Sequence, residues 1–301
     1  MRTVVLAGGS GGAKLAVGFQ SLLEPGELTV IANTADDDEF WGLLVSPDLD
    51  ATIYRLAGVF DDATGYGQKG DTFNTLDALG RLGEPTWFRI GDRDLATHVV
   101  RADMLNSGCR LTETALELCR RFGLATRVLP MTDDKVRTRF VTEHGTLSFQ
   151  DYFVRERLSP RLSAIEIAGA DSAVPSPEVT AALVAADVVV IGPSNPLISI
   201  GPILAVIKRG LHRERTVAVT PIVGGVALKG PTVEMMRALG HEPSPVEVAR
   251  GYSSIAGTFV LDSRDAGAAA EIEALGYRVI VCDTVMAGGG ESLAKAILAA
   301  L

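Results

Sequence analysis

The sequence predicts an α/β fold built on a doubly wound, mainly parallel sheet, with an insertion partway along the chain. Three observations predict it. Short apolar runs alternate with helix-like patterns, as βαβ units require. The first such run, Val4 to Ala7, passes straight into Gly8, Gly9, Gly11 and Gly12 and then into a helix carrying Lys14. The middle of the chain breaks the alternation. The expected arrangement is Rossmann-like.

Taken in order, strands are expected at Thr3 to Ala7, Leu28 to Asn33, Val188 to Ile191, Thr216 to Thr220, Thr258 to Leu261 and Arg278 to Cys282. Each is a short, nearly continuous apolar run, the pattern of a strand covered on both faces. Residues 71–122 carry helix signals instead, with starts at Asp94-Leu-Ala-Thr and Thr112-Glu-Thr-Ala. Phe140 to Val154 alternates as a hairpin with its turn at His144-Gly145. Ala170 to Pro177, with Pro175 and Pro177, reads as a linker. Residues 1–70 and 171–301 are therefore expected to form one nucleotide-binding α/β domain. Residues 71–170 are expected to form a helical and β-hairpin insertion.

Composition narrows the function. The 301 residues are 47% hydrophobic, enough for a large core. A formal charge of −9 and a pI near 5.0 exclude duplex nucleic acid as the main partner, because phosphate backbones are bound by net-basic surfaces. Cys109, Cys119 and Cys282 are odd in number and lack metal-type spacing, so reduced, packed thiols are expected. The apolar stretch Ala181 to Ile191 contains Asp187 and is too short to cross a bilayer. No basic-then-apolar leader precedes the first strand. A soluble cytoplasmic protein without a membrane partner is expected.

Four stretches carry candidate chemistry. In the glycine turn, Gly8, Gly9, Ser10, Gly11, Gly12 and Lys14 bring backbone N–H groups and a helix start to one place, which suits a phosphate. It lacks the Gly-Lys-Ser/Thr of a P-loop, and Asn33 stands where a dinucleotide site wants an acid. The turn therefore predicts a phosphate without naming its nucleotide. Next come two acidic clusters, Asp36-Asp37-Asp38-Glu39 and Asp48-Leu-Asp50. Crowded carboxylates repel unless a cation offsets them, and magnesium is commonly held by one or two carboxylates plus substrate phosphates. The plainer reading of Asp38 and Glu39 is a solvated loop capping a helix over Glu39 to Leu44. Asp50 reads as functional, because it sits among Leu49, Ala51, Ile53 and Leu56, where an unpaired carboxylate is costly.

The third stretch runs from Arg89 to His98. Arg89 or Arg93 can donate to a phosphate or a ring oxygen, Asp92 or Asp94 can cap the following helix, and His98 falls one turn beyond Asp94. In the fourth, Gly192-Pro-Ser194-Asn195-Pro196 ends an apolar strand, and Ser199 precedes a helix with Pro202 in its first turn. Ser194 and Asn195 offer a hydroxyl and an amide to a base or a phosphate.

Together these stretches resemble the 2-phospho-L-lactate transferase family of coenzyme F420 biosynthesis (CofD in archaea, FbiA in actinobacteria). The resemblance rests on Gly8 to Lys14, Asn33-Thr-Ala-Asp-Asp37, Ser46-Pro-Asp-Leu-Asp50, Gly91-Asp-Arg-Asp-Leu-Ala-Thr-His98, Leu129-Pro-Met-Thr-Asp-Asp134, Phe149-Gln-Asp151 and Gly192 to Pro202. Thr220-Pro-Ile-Val-Gly224 and Cys282-Asp-Thr-Val-Met286 fit it too. It implies transfer of a phosphorylated three-carbon acid from a guanosine diphosphate-linked donor to the deazaflavin Fo, releasing GMP, in a magnesium-dependent homodimer. On this resemblance Asp50, Arg89, Arg93 and His98 are expected to bind Fo. Arg89 stands where an archaeal relative has lysine, which keeps the charge and changes the donor geometry. The glycine turn and Ser194, Asn195, Pro196 and Ser199 are expected to hold the donor. Asp36, Asp37 and Asp50 are the expected Mg2+ ligands, and Asp50 and Asp36 the catalytic candidates. One departure is the run of acids continuing through Asp38 and Glu39 to Phe40 and Trp41.

Two rival readings share the glycine turn. A nucleotide-sugar-binding regulator of the gluconeogenesis-factor type is not expected to carry both the Ser46–Asp50 and the Gly91–Asp94 stretches. A nicotinamide-dependent oxidoreductase needs the ribose-binding acid that Asn33 replaces.

Overall fold

A computed structural model describes residues 1–227 and 230–301. Along the chain, β1 (Thr3–Ala7), α1 (Ser10–Gln20) and β2 (Leu28–Ala32) lead to a hairpin of β3 (Asp38–Phe40) and β4 (Leu43–Val45). Four helices follow: α2 (Pro47–Leu56), α3 (Asn74–Arg81), α4 (Asp92–Asn106) and α5 (Leu111–Arg121). Next come β5 (Arg127–Pro130), β6 (Arg137–Thr142), β7 (Gly145–Ser148) and β8 (Leu162–Ala168). The second half runs α6 (Pro177–Ala185), β9 (Val188–Ile191), α7 (Ile200–Ile207), β10 (Thr216–Val219) and the short pair β11 (Ile222–Val223) and β12 (Val226–Ala227). It closes with α8 (Thr232–Ala238), α9 (Pro245–Tyr252), β13 (Thr258–Asp262), α10 (Ala269–Ala274), β14 (Arg278–Cys282) and α11 (Glu291–Ala300).

Seven parallel strands form the central sheet in the order β14-β13-β10-β9-β1-β2-β5. Each face is buried, which is why its strands read as apolar runs. Val4 and Leu6 of β1 point into a core shared with α6, α7 and α9, while Val5 and Ala7 point into a second core with α1, α2, α5 and α11. Leu6 pairs with Ile31 on one side and Ile191 on the other. From β1 the chain winds outward through β2 to β5, then returns to β9 and winds outward again to β14. The strand order thus reverses between β1 and β9. Loops leaving those two strands diverge and open a crevice at their carboxyl ends, where open α/β sheets bind ligands.

Several local expectations need correcting. Residues 127–130, assigned to the insertion, form the seventh strand of the central sheet: Val128 pairs with Val30. With α5 packed beneath them, they leave the expected 71–170 insertion as two excursions, a helical one before α5 and the β6–β8 sheet after β5. Strand β5 escapes notice because it holds four residues, begins with arginine and ends with proline, all edge features. The hairpin turn is Glu143-His144, with Gly145 paired to Thr142, and β8 adds a third strand in the order β7-β6-β8. Helix α4 starts at Asp92 and α5 at Leu111, each earlier than expected. Glu39 to Leu44 is no helix. Trp41 (φ 51°) and Gly42 (φ 76°) make a tight turn with two left-handed residues, which closes β3 onto β4.

Asp92, one of two residues (with Asp94) that could cap the following helix, accepts instead from the amides of Asn74 and Thr75 at the start of α3. Asp71 returns the favour by accepting from the amides of Arg93 and Asp94 at the start of α4. The three cysteines are free; Cys119 is buried, whereas Cys109 and Cys282, expected to be packed, are half-buried. No described helix is long and apolar enough to cross a membrane.

Candidate functional site

Gly9, the residue before α1, has φ +75°, a backbone state that L side chains rarely adopt. At Gly11 a Cβ would lie 2.1 Å from the carbonyl oxygen of Pro193, so only glycine lets the first turn of α1 rest against the loop after β9. Gly9 has no side chain to cap α1 and no acid occupies its first turn; the Asp48 carboxylate accepts from the Gly9 amide, and the positive end of the helix faces the cleft described next. Gly8, Gly9, Ser10, Gly11 and Lys14 line a cleft of about 290 Å³ together with Ser194, Asn195 and Ser199. Phe149, Phe153, Pro231 and Met286 form its other walls.

Two of the expected donor residues do not reach this cleft. Gly12 spends its amide on Ser194 Oγ (3.0 Å), tying the two loops together behind the surface. Pro196 is absent from the lining and packs its carbonyl against Gly201. Asn195 lines the cleft, but its Oδ1 already accepts from the Leu197 amide.

The acids separate onto different walls. Asn33 Nδ2 donates to Asp36 Oδ2 (2.9 Å) and Asp48 Oδ2 (3.0 Å), holding two carboxylates on one amide. Both face this cleft. Thr138 Oγ1 donates to the other oxygen of Asp36, and Gln150 Nε2 to its carbonyl. Burial, and then the charge of Asp48, push Asp36 well above the ordinary carboxylate range. Burial raises Asp48 to about 6 against the pull of Asn33 and the Gly9 amide. Such a pair favours a cation between or beside its members. Asp37 turns to the opposite side, where Ser46 Oγ donates to it at 2.7 Å, and burial lifts it to about 8 despite Arg137. Asp37 is therefore separated from Asp36, although the two are adjacent in sequence.

A second chamber of about 340 Å³ opens beside the first, lined by Asp50, Tyr54, Asp94, His98 and Arg89 with a rim of Tyr66, Trp87 and Phe88. Asp50 is 3% exposed, and Arg101, which is 0% exposed, binds both of its oxygens with a forked guanidinium. Burial opposes the charge on Arg101, and Asp50 more than offsets it, raising the guanidinium above its usual value. His98 and Asp94 share a helix face as expected, with Nε2 3.6 Å from Asp94 Oδ1. Tyr54 donates to the same Asp94 oxygen at 2.8 Å. Asp50, Asp94 and His98 bring ligand-type atoms within 4.8 Å of one another, but the Arg101 cation already occupies Asp50 and opposes a second positive charge there. Asp50 thus differs from Asp36 and Asp48 as a candidate metal ligand. Arg89 is stacked over Phe73 at 4.1 Å and reaches the chamber. Arg93 does not; its guanidinium donates to the Lys69 carbonyl on the outer surface.

Gly9, Ser10 and Asp48 line both chambers, so the glycine turn and Asp50 open into one continuous cleft. The sequence reading missed Asp48 as a site residue, although it quoted the motif containing it, and missed Arg101 and Asn33 as their organisers. For Asp48 the signal was present: position two of a helix begun by proline, two residues before Asp50.

A model of the family described as 2-phospho-L-lactate transferase CofD matches residues 3–286. The chain is 41% identical over 288 residues to a phosphoenolpyruvate transferase of Streptomyces griseus, covering 92% of this chain and 91% of that protein. It is 40% identical to a 2-phospho-L-lactate transferase of Methanopyrus kandleri (99% and 97% covered) and 37% identical to that of Methanosarcina mazei (94% of each). A crystal structure of a UPF0052 family member from Bacillus halodurans shares the fold, with TM-score 0.60 and 17% identity over 99% of this chain and 98% of that one.

Proposed function

The chain belongs to the 2-phospho-L-lactate transferase CofD family, and from that membership we propose that it moves a phosphorylated three-carbon acid, of the 2-phospho-L-lactate or phosphoenolpyruvate type, from a GDP-linked donor to the deazaflavin Fo, releasing GMP. It is a transferase of coenzyme F420 biosynthesis, acting in this reading as a cytoplasmic homodimer. The observation that carries the reading is the shared wall. A phosphate-binding turn and a chamber rimmed by aromatic rings meet at Gly9, Ser10 and Asp48, so a donor in one and a planar acceptor in the other present reacting atoms to each other.

In this reading α1 and its glycine turn hold the diphosphate through backbone amides and the helix dipole, with Lys14 beside them. Arg89, Trp87 and Phe88 hold the deazaflavin ring, which leaves its hydroxylated side chain toward Asp50 and Asp48. Asp50 orients the attacking primary hydroxyl and accepts its proton late. A loose phosphoryl-transfer transition state asks for positioning and charge neutralisation more than for a strong base. The paired carboxylates Asp36 and Asp48 suit Mg2+, since both are buried or half-buried, mutually repelling and aimed into the donor chamber. When bound, the ion would neutralise charge on the phosphoryl oxygens.

The test is direct. The protein is incubated with Fo, Mg2+ and either the lactyl or the enolpyruvyl guanylated donor, and products are read by mass spectrometry. Phosphorylated deazaflavin together with GMP is the expected result. Failure with both donors, with calorimetry detecting a UDP-sugar and no Fo, would overturn the reading.

A further inference from the structure

Arg101 is the largest fully buried side chain among the described residues and lines neither chamber. From α4 it reaches three other groups. Its fork binds both oxygens of Asp50 on α2, and Nη1 also donates to the Leu44 carbonyl on β4 (3.1 Å). The same Nη1 lies 3.1 Å from His98 Nδ1. A guanidinium only donates, so with the two Nη1 hydrogens shared among Asp50, the Leu44 carbonyl and this ring, Nδ1 enters the contact as the accepting nitrogen. An imidazole that accepts at Nδ1 carries its proton on Nε2. That Nε2 is buried without a close hydrogen bond, lies 3.6 Å from Asp94 Oδ1, and belongs to a residue that lines the acceptor chamber.

Arg101 leaves Asp50 able to receive more. Each carboxylate oxygen has two lone pairs and the fork takes one from each. A hydroxyl entering the chamber therefore meets an acceptor, Asp50, and a donor, the Nε2–H of His98. Arg101, which the substrate does not touch, orients Asp50 and contacts Nδ1 of the ring, while Asp94 lies beside Nε2 on the other side. Net stability is a weak account of this arrangement: a buried ion pair often contributes little, and Nε of Arg101 has no partner.

We propose that Arg101 is a positioning residue of the transfer, fixing Asp50 as acceptor and His98 as Nε2–H donor for a hydroxyl of a polyhydroxylated acceptor. This rests on the acceptor chamber assigned above. Lysine cannot replace it, because one ammonium lacks the planar fork that spans two carboxylate oxygens and an imidazole nitrogen.

Two measurements test the proposal. The first needs no turnover: two-bond ¹H–¹⁵N spectra of histidine-labelled protein, with His98 identified by the signals lost in His98→Asn. Wild type should give the Nε2–H tautomer at His98, and Arg101→Lys should lose it. A wild-type His98 protonated at Nδ1, alone or with Nε2, overturns the proposal, as does an unchanged tautomer in Arg101→Lys. The second is a kinetic cycle. Arg101→Lys should lower kcat about 10- to 100-fold with the KM of the guanylated donor unchanged, and this loss should shrink to about threefold or less in an Asp50→Asn background. Equal losses in both backgrounds would make Arg101 a structural residue only. Absence of product from wild type would instead count against the transferase reading, and the spectra would still decide the role of Arg101.

Discussion

At the residue scale the site is a problem of placing carboxylates. Asp50→Asn leaves the buried guanidinium of Arg101 against a neutral amide, and breaking a buried pair from one side costs about 3 kcal/mol or more. The expected outcome is a lower melting temperature and Fo turnover reduced but still measurable, with GDP affinity retained, read by calorimetry and product assay. Asp48 and Asp37 make an opposite prediction, because burial raises both, to about 6 and about 8. The folded protein then binds more protons than the unfolded chain above pH ~4, where an unfolded aspartate has lost its own. Stability therefore falls as pH rises from about 4 through 6 and on to 8. Metal-free protein should melt at progressively lower temperature across that window, and Mg2+ should flatten the part of the decline due to Asp36 and Asp48. Asp48→Asn should also flatten it; a melting temperature that rises with pH would contradict the assignment. Asp36 and Asp50 were legible in sequence as carboxylates at strand ends or among apolar neighbours. Arg101 was not, since its partner lies 51 residues away and nothing near it marks it.

At the element scale, turns set the geometry. Helix α1 can approach the loop after β9 only because Gly11 has no Cβ, so Gly11→Ala should force the two loops apart. A loss of about 1–3 kcal/mol in stability is expected, together with weaker GDP binding, while Fo still quenches the fluorescence of Trp87 in the neighbouring chamber. Comparable GDP affinity in the variant would show that this contact does not shape the donor site. Elements with strong periodic signals were legible: β1, β9 and β14 fall where their apolar runs place them. Strand β8 was legible in principle, since Ala164-Ile-Glu-Ile-Ala168 alternates, but it follows a connection containing a π-helical turn (Asp151–Arg155) rather than a hairpin turn. The β3–β4 hairpin defeats composition-based reading, because its turn puts a tryptophan at positive φ. The helix starts were shifted because the caps come from across the chain: Asp71 accepts from amides at the start of α4, and Asp133 from the Thr112 amide at the start of α5.

At the scale of the whole molecule, the doubly wound sheet was legible because buried parallel strands announce themselves, and the crevice because the glycine turn and the Pro-Ser-Asn loop both follow such strands. Sequence did not foretell that acids adjacent in the chain, Asp36 and Asp37, would face different spaces. That follows from how Thr138 of β6 and Gln150, just after β7, hold Asp36 in the loop after β2. The placement of β1 between β2 and β9 has a further consequence, in time rather than space. Gly12 and Ser194 stand 182 residues apart, so a ribosome working at 5–20 residues per second needs roughly 10–40 s to deliver the second partner. Throughout that interval the emerging Val-Val-Leu-Ala segment has one hydrogen-bonding edge open, a template for wrong pairing. A fragment ending at Ala186 should therefore aggregate when expressed alone, and co-expression of 187–301 should rescue some of it, as pelleting assays would reveal. For this chain the cleft at the glycine turn is among the last features a newborn molecule can complete.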